Sequence, residues 1–189
     1  MKIGIISDTH GDLAGWTEAM EKVFAGVDLI IHIGDILYHG PRNPLPAGYD
    51  PAALAEAINA SPVPVIFARG NCDADIDQLV IKYPLQAPYA FVVIEGLRIM
   101  AGHGDDLDDQ ETAALGRNYR LDVLACGHTH RPLLRRVGST VVINPGSPSL
   151  SKHEVNGKIV RTVGLIDDRS ARIIDLDTSQ AITEIALRE

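Results

Sequence analysis

Three apolar runs in the first 70 residues, "KIGIIS" (2–7), "DLIIHIG" (28–34) and "VPVIFARG" (63–70), alternate with two helical segments. That alternation constrains the fold more than any other feature of the chain. "DLAGWTEAMEKVFAG" (12–26) sets Leu13, Trp16, Met20, Val23 and Phe24 on one helical stripe, opened by Asp12 and stopped by Gly26. "DPAALAEAINA" (50–60) predicts a second helix, capped by Asp50 with Pro51 in its first position. A β-α-β-α-β order requires parallel strands joined by right-handed crossovers.

The second half changes character. "FVVIEGLRIMAG" (91–102) reads as two strands about Glu95-Gly96, and "LLRRVGSTVVI" (133–143) as two about Gly138-Ser139. "IVRTVGLIDDRSARIIDLD" (159–177) predicts a third hairpin, with a short helix near 109–118 and a strand at 122–127 between the others. The expectation is an α/β chain with two mixed sheets face to face and helices outside, a four-layer α/β/β/α sandwich. At 189 residues and 46% hydrophobic, one core and a single domain over 1–189 are expected.

Charge and cysteine usage narrow the function classes. The net charge is −8, from 25 acidic and 17 basic residues with no dense basic run, so stable nucleic-acid binding and anionic membrane surfaces are not expected. No apolar run reaches the length of a membrane span, and the "IGII" near the start is too short for a signal-peptide core. Cys72 and Cys126 do not form a disulfide framework, and reduced thiols fit a cytoplasmic location.

Five strand-like runs end in metal-binding residue types. "IGIIS" leads to Asp8 and His10, "LIIHIG" to Asp35, "VIFARG" to Asn71, "RIMAG" to His103, and "DVLACG" to His128 and His130. Carboxyl-terminal strand ends are where α/β sheets bind ligands, because the loops diverge there. Imidazole with carboxylate and amide oxygen suits Mn, Fe, Zn, Co or Ni better than Ca or Cu(I). Seven ligands exceed the needs of one ion. With Asp35 shared between two ions, a bridging hydroxide and a clamped phosphoryl group become available, which is metal-assisted phosphoester hydrolysis. His32 is expected in the core and His153 in solvent.

The ordered set "DTH", "GD", "GNCD", "GHG" and "GHTH" closely resembles the calcineurin-like metallophosphoesterase superfamily, over residues 3 to 147. Within it, "ARGNCD", "YHGPRN" and "INPGS" are similar to the small bacterial phosphodiesterase subgroup, known for manganese-dependent cleavage of model phosphodiesters. The resemblance implies one ion held by Asp8, His10, Asp35 and His130, and a second by Asp35, Asn71, His103 and His128. It implies a small phosphoester substrate; phosphomonoesters and a non-enzymatic scaffold like the retromer scaffold subunit are the alternatives, and a homo-oligomer is compatible with all three.

Two positions depart from the family pattern. Where many members have a histidine that protonates the leaving oxygen, this chain has Cys72, which is either a proton donor or a small half-buried spacer. Where several relatives have His-Gly-His, this chain has Asp105, a candidate for orienting His103 or His128. The Pro- and Gly-rich loop 38–51 should hang over the metals. Within it Arg42 is expected to pair with a phosphate oxygen, and His39 or Asn43 to contact the ester, while Ser147 is a weaker contact candidate.

Overall fold

The computed structural model describes residues 1–104 and 108–187. In chain order the first half contains β1 (Lys2–Ile6), α1 (Leu13–Lys22), β2 (Leu29–His32), α2 (Pro51–Asn59), β3 (Val65–Ala68) and the two-residue β4 (Leu85–Gln86). There follow β5 (Ala90–Ile94), β6 (Leu97–Ala101), α3 (Asp109–Tyr119), β7 (Val123–Ala125), β8 (Pro132–Val137) and β9 (Thr140–Pro145). The chain closes with β10 (Glu154–Val155), β11 (Lys158–Ile159), β12 (Thr162–Asp167), β13 (Ser170–Asp175) and β14 (Ala181–Ala186).

Among the described residues these strands form two large mixed sheets and a small ribbon. The first sheet has the order β14-β13-β12-β1-β2-β3-β4, and the second β5-β6-β7-β9-β8. β1 pairs parallel to β2 and β2 parallel to β3, as the crossovers require, while β12 runs antiparallel to β1. In the second sheet β7 lies parallel to both β6 and β9.

Side-chain alternation sorts the layers. Ile3 and Ile5 of β1 and Ile31 of β2 pack with Val92, Ile99, Val123, Val141 and Ile143 of the other sheet. Ile6 and Ile30, on the opposite face, pack with Trp16 and Ala19 of α1 and Leu54 and Ile58 of α2. The period of two along each strand directs successive residues to these two cores. Met100 and Leu124 of the second sheet pack with Leu121 and Leu115, the latter from α3. The result is the α/β/β/α sandwich. Each isoleucine removed from water in this way contributes about 1.5–3 kcal/mol.

Boundaries moved for identifiable reasons. α1 ends at Lys22 and not at 26, because the chain peels off to lay Phe24 on Gly4, where a Cβ would lie 2.9 Å from the ring. Gly26, at φ +78°, then turns the chain into β2. The third hairpin occupies 162–175, and its partner β14 has no counterpart in the sequence reading. The hairpin at Glu95-Gly96 has both residues at positive φ, the backbone of a type I′ turn.

Candidate metal centre

The loops that follow β1 and β2 are zipped together backbone to backbone. The Asp8 N–H donates to the Gly34 carbonyl at 3.0 Å, the His10 N–H to Asp35 at 2.9 Å, and the Gly11 N–H to Ile36 at 2.7 Å. The third loop abuts them so closely that a Cβ on Gly34 would lie 2.3 Å from the Gly70 nitrogen. The second sheet arrives through Gly127, where a Cβ would meet Ser7 Oγ at 2.1 Å. Four loops from two sheets therefore converge on one spot.

Five side chains at that spot sit on left-handed backbone. Asp8, His10, Asp35, His128 and His130 have φ of 57°, 48°, 55°, 65° and 58°. Non-glycine residues rarely adopt this region, Asp and His more readily than most, and clusters of it mark functional sites.

Hydrogen bonds set the ring orientations. Nδ1 of His10 faces the Tyr38 carbonyl at 2.8 Å, Nδ1 of His103 the Ile33 carbonyl at 2.7 Å, and Nδ1 of His130 the Leu150 carbonyl at 2.7 Å. A carbonyl only accepts, so each Nδ1 carries the proton and each Nε2 offers its lone pair inward. His10 Nε2 and His130 Nε2 stand 3.1 Å apart.

Two carboxylates meet these rings. Asp8 is fully buried; its Oδ2 accepts the His128 N–H at 3.0 Å, and its Oδ1 has no hydrogen-bond partner. Oδ1 lies 3.3 Å from His130 Nε2 and 3.8 Å from His10 Nε2. Asp35 Oδ1 accepts the Cys72 N–H at 2.8 Å, which leaves Oδ2 directed between His103 Nε2 at 3.3 Å and His10 Nε2 at 3.7 Å. His103 Nε2 is misaligned with that oxygen and also lacks a partner. Asn71 Oδ1 faces His128 Nδ1 at 2.8 Å.

These atoms sort into groups whose members lie within 4.8 Å of one another: Asp8, His10 and His130; and Asp35, His103 and His128. A third group, His10, Asp35 and Cys72, brings the thiol within the same distance of ligand atoms. Inward lone pairs and unpartnered buried carboxylate oxygen call for cations, and nitrogen with oxygen donors suits borderline divalent ions. The residues fit the metals that the motifs imply.

Electrostatics points the same way. Burial works against a charge on His103, yet Asp35 and Asp8 beside it lift its pKa to about 9, so this corner favours a positive charge. Burial lowers His10 more than the neighbouring carboxylates raise it. Asp35 lies below the ordinary carboxylate range, because His103, the Cys72 N–H and His10 outweigh its burial. Burial and then the charge of Asp35 push the Cys72 thiol up to about 12.

The cavity in front of this centre has a volume near 620 Å³ and is lined by Asp35, Asn71, Cys72, His128 and His130 together with Arg42, Asn43 and Lys152. Of the loop residues expected over the metals, Arg42 and Asn43 line it; His39 does not, and its ring packs edge-on to Tyr38 and Tyr49. Ser147 is fully buried, and its hydroxyl donates to the Asp8 carbonyl at 2.8 Å, so it braces a ligand loop and is out of reach of substrate. His32 is fully buried, and burial holds its pKa at about 3. His153, expected in solvent, is half-buried in a groove beside Pro132 and Ile182. Asp105 lies outside the described residues.

Two residues escaped the sequence reading. Asp73 stands in the quoted "GNCD", yet its role needs the fold: its carboxylate accepts the N–H groups of Asp35 at 3.0 Å, Ile36 at 2.7 Å and Gly70 at 2.7 Å. Burial, opposed by these donors, pushes it up to about 6. Lys152 carried no local signal; it reaches the cavity because its backbone N–H is tied to the His130 carbonyl at 2.9 Å.

Known proteins share this architecture. The family model of the calcineurin-like phosphoesterase superfamily domain matches residues 1–167. Phosphodiesterase YfcE of Escherichia coli K12 is 38% identical over 189 residues, covering 99% of this chain and 98% of that one. The solved structure of E. coli Yfce, described as a phosphoesterase, superimposes with a TM-score of 0.82 at 32% identity over the whole of both chains. Vps29 of Chaetomium thermophilum shares the fold, with a TM-score of 0.64 at 16% identity over 98% of this chain and 92% of that one. With the family model spanning the metal-ligand motifs and a relative matched end to end, this chain belongs to the calcineurin-like phosphoesterase superfamily.

Proposed function

We propose that this chain is a metal-dependent phosphodiesterase acting as one domain in the cytoplasm on small phosphoesters, with manganese as its metal. The observation that carries the reading is the convergence of Asp8 Oδ1 and Asp35 Oδ2 on the Nε2 atoms of His10, His103 and His130. Asp8, His10, Asp35 and His130 would hold one ion, and Asp35, Asn71, His103 and His128 the other. Divalent ions supply Lewis acidity toward phosphoryl oxygens and lower the pKa of bound water.

The chain's own groups do the rest. Arg42 pairs with a nonbridging phosphate oxygen through a charge-assisted hydrogen bond. Asn43 has one amide N–H on the His39 carbonyl at 2.8 Å, so its second N–H is left to donate to an ester oxygen. Cys72 keeps its proton at neutral pH and is a donor toward the leaving oxygen.

Arg42 seen alone would favour diesters, since a terminal phosphate needs more positive charge. Lys152 on the same cavity removes that argument. The diester preference rests instead on the 38% identity to phosphodiesterase YfcE. A scaffold role draws only on likeness of fold and leaves the donor set without a use. The net charge of −8 speaks against stable nucleic-acid binding, and no helix among the described residues is long and apolar enough to cross a membrane.

The test is reconstitution with manganese, followed by turnover of paired mono- and diesters of p-nitrophenol. Diesters should be preferred, two manganese ions should bind per chain, and Asp35→Asn should lower turnover by about 10³-fold, or about 4 kcal/mol of barrier. One ion or fewer at saturation, or full activity in Asp35→Asn, would overturn the assignment.

A further inference from the structure

A second cavity adjoins the metal pocket across Tyr38 and Cys72, which line both. Its volume is near 710 Å³, and α2, the loop after β2 and the 3₁₀ turn Asp75–Leu79 enclose it. Its wall differs in kind from that of the metal pocket. Apolar and aromatic residues make most of it, among them Tyr38, Tyr49, Ala52, Ala55, Ile76 and Val80, and among the described residues no lysine or arginine lines it.

Of the polar side chains on this wall, Asp77 and Asn59 are engaged by backbone groups. Asp77 accepts the Ala74 N–H at 2.8 Å, and Asn59 donates to the Val80 carbonyl at 2.7 Å and accepts the Lys82 N–H at 2.8 Å. Ile76 and Val80, both on this wall, are 63% and 50% exposed and offer apolar surface to an occupant. Tyr38 connects the two sites: its carbonyl holds His10 Nδ1 in orientation, while the residue, 43% exposed, lines both cavities.

We infer that this cavity binds one alcohol arm of the phosphodiester, and that the arm is uncharged, apolar and bulky, of the size of a two-ring aromatic. The inference rests on the phosphodiesterase reading and names its substrate class. Arg42 and the ions that the metal ligands would hold take the phosphate, and the tyrosine rings with Ile76 and Val80 take the arm by apolar contact and stacking. Glu56 and Asp77 on the wall oppose a second phosphate, so nucleotide-like arms that carry extra negative charge are disfavoured.

Two measurements test it on the manganese-loaded full chain. The first titrates 2-naphthol, an uncharged stand-in for the arm, by its fluorescence, and follows its proton relaxation for the paramagnetic effect of nearby manganese. Saturable binding with manganese-enhanced relaxation is expected, lost in Ala52→Trp and weakened in Ile76→Asp; both positions are exposed, so circular dichroism should show an intact fold. The second compares p-nitrophenyl 2-naphthyl phosphate with methyl p-nitrophenyl phosphate. The naphthyl ester should have about tenfold higher kcat/KM, falling to near parity in Ala52→Trp, because filling the cavity removes about 1.4 kcal/mol of apolar binding. Equal kcat/KM for the two esters, a preference that survives Ala52→Trp, or naphthol binding without relaxation enhancement would overturn the subsite. Naphthol binding with no turnover of any diester would instead overturn the phosphodiesterase reading, and the proposed substrate with it.

Discussion

His10 Nε2 and His130 Nε2 face each other at 3.1 Å while both rings commit Nδ1 to backbone carbonyls. Two lone pairs cannot hydrogen-bond to each other, and a metal ion beside them relieves a contact that a shared proton would otherwise have to bridge. Metal binding is therefore folding energy in this chain. Manganese at about one hundred times its Kd should add about 2.7 kcal/mol, which raises the Tm of a chain this size by about 5–10 °C. Magnesium should do less, since it prefers oxygen ligands and dehydrates reluctantly. Thermal unfolding in chelator, manganese and magnesium checks this; an unchanged Tm in saturating manganese would contradict it.

Asp73 clamps three backbone N–H groups, that of Asp35 among them. Asp73→Asn keeps the shape but turns an N–H₂ toward at least one of those donors. The expected cost is about 1–3 kcal/mol of stability, with about 10–100-fold weaker manganese binding, as for other groups that orient metal ligands. Urea unfolding and metal titration measure the two effects separately. Loss of stability with unchanged metal affinity would restrict Asp73 to a purely structural part.

Burial and then the charge of Asp35 work against a thiolate at Cys72, which makes it a poor nucleophile. Cys72→Ser should lower turnover of aryl esters by less than about tenfold, because a phenolate leaves with little help. Near-complete loss, or a phosphocysteine trapped during turnover, would establish covalent catalysis instead.

Arg161 grips both oxygens of Glu18, at 3.1 and 3.0 Å, and Lys22 adds a contact at 2.6 Å, tying α1 to the start of β12. The hydrogen bonds from Arg161 and then Lys22 lower Glu18 from 4.5 to about 2. The folded pKa lies below the unfolded one, so the stabilisation is complete above about 4.5 and is lost as pH falls toward about 2. Glu18→Gln should cost no more than about 1 kcal/mol at pH 7, since the pair is solvent-screened. Chemical denaturation should show the gap between variant and parent closing as the pH is lowered through that window.

What the sequence determined by itself is local. The parallel β-α-β-α-β core was legible because apolar period and helix caps act over a few residues, and the hairpins because glycine permits their turns. The seven candidate metal ligands were legible because each follows an apolar run, so strand ends could be counted without knowing where the strands go. The tertiary structure decided the remainder. Local preference opposes left-handed backbone at Asp8, His10, Asp35, His128 and His130; bonds between loops, such as His10 N–H to Asp35 and the grip of Asp73, hold the segments that carry it. β14 was missed because its edge position leaves it mostly exposed, which erases the apolar alternation that marks a buried strand. Lys152 joined Arg42, and the apolar cavity joined the metal pocket, through contacts between segments far apart in the chain, and no local pattern encodes a distance of that kind.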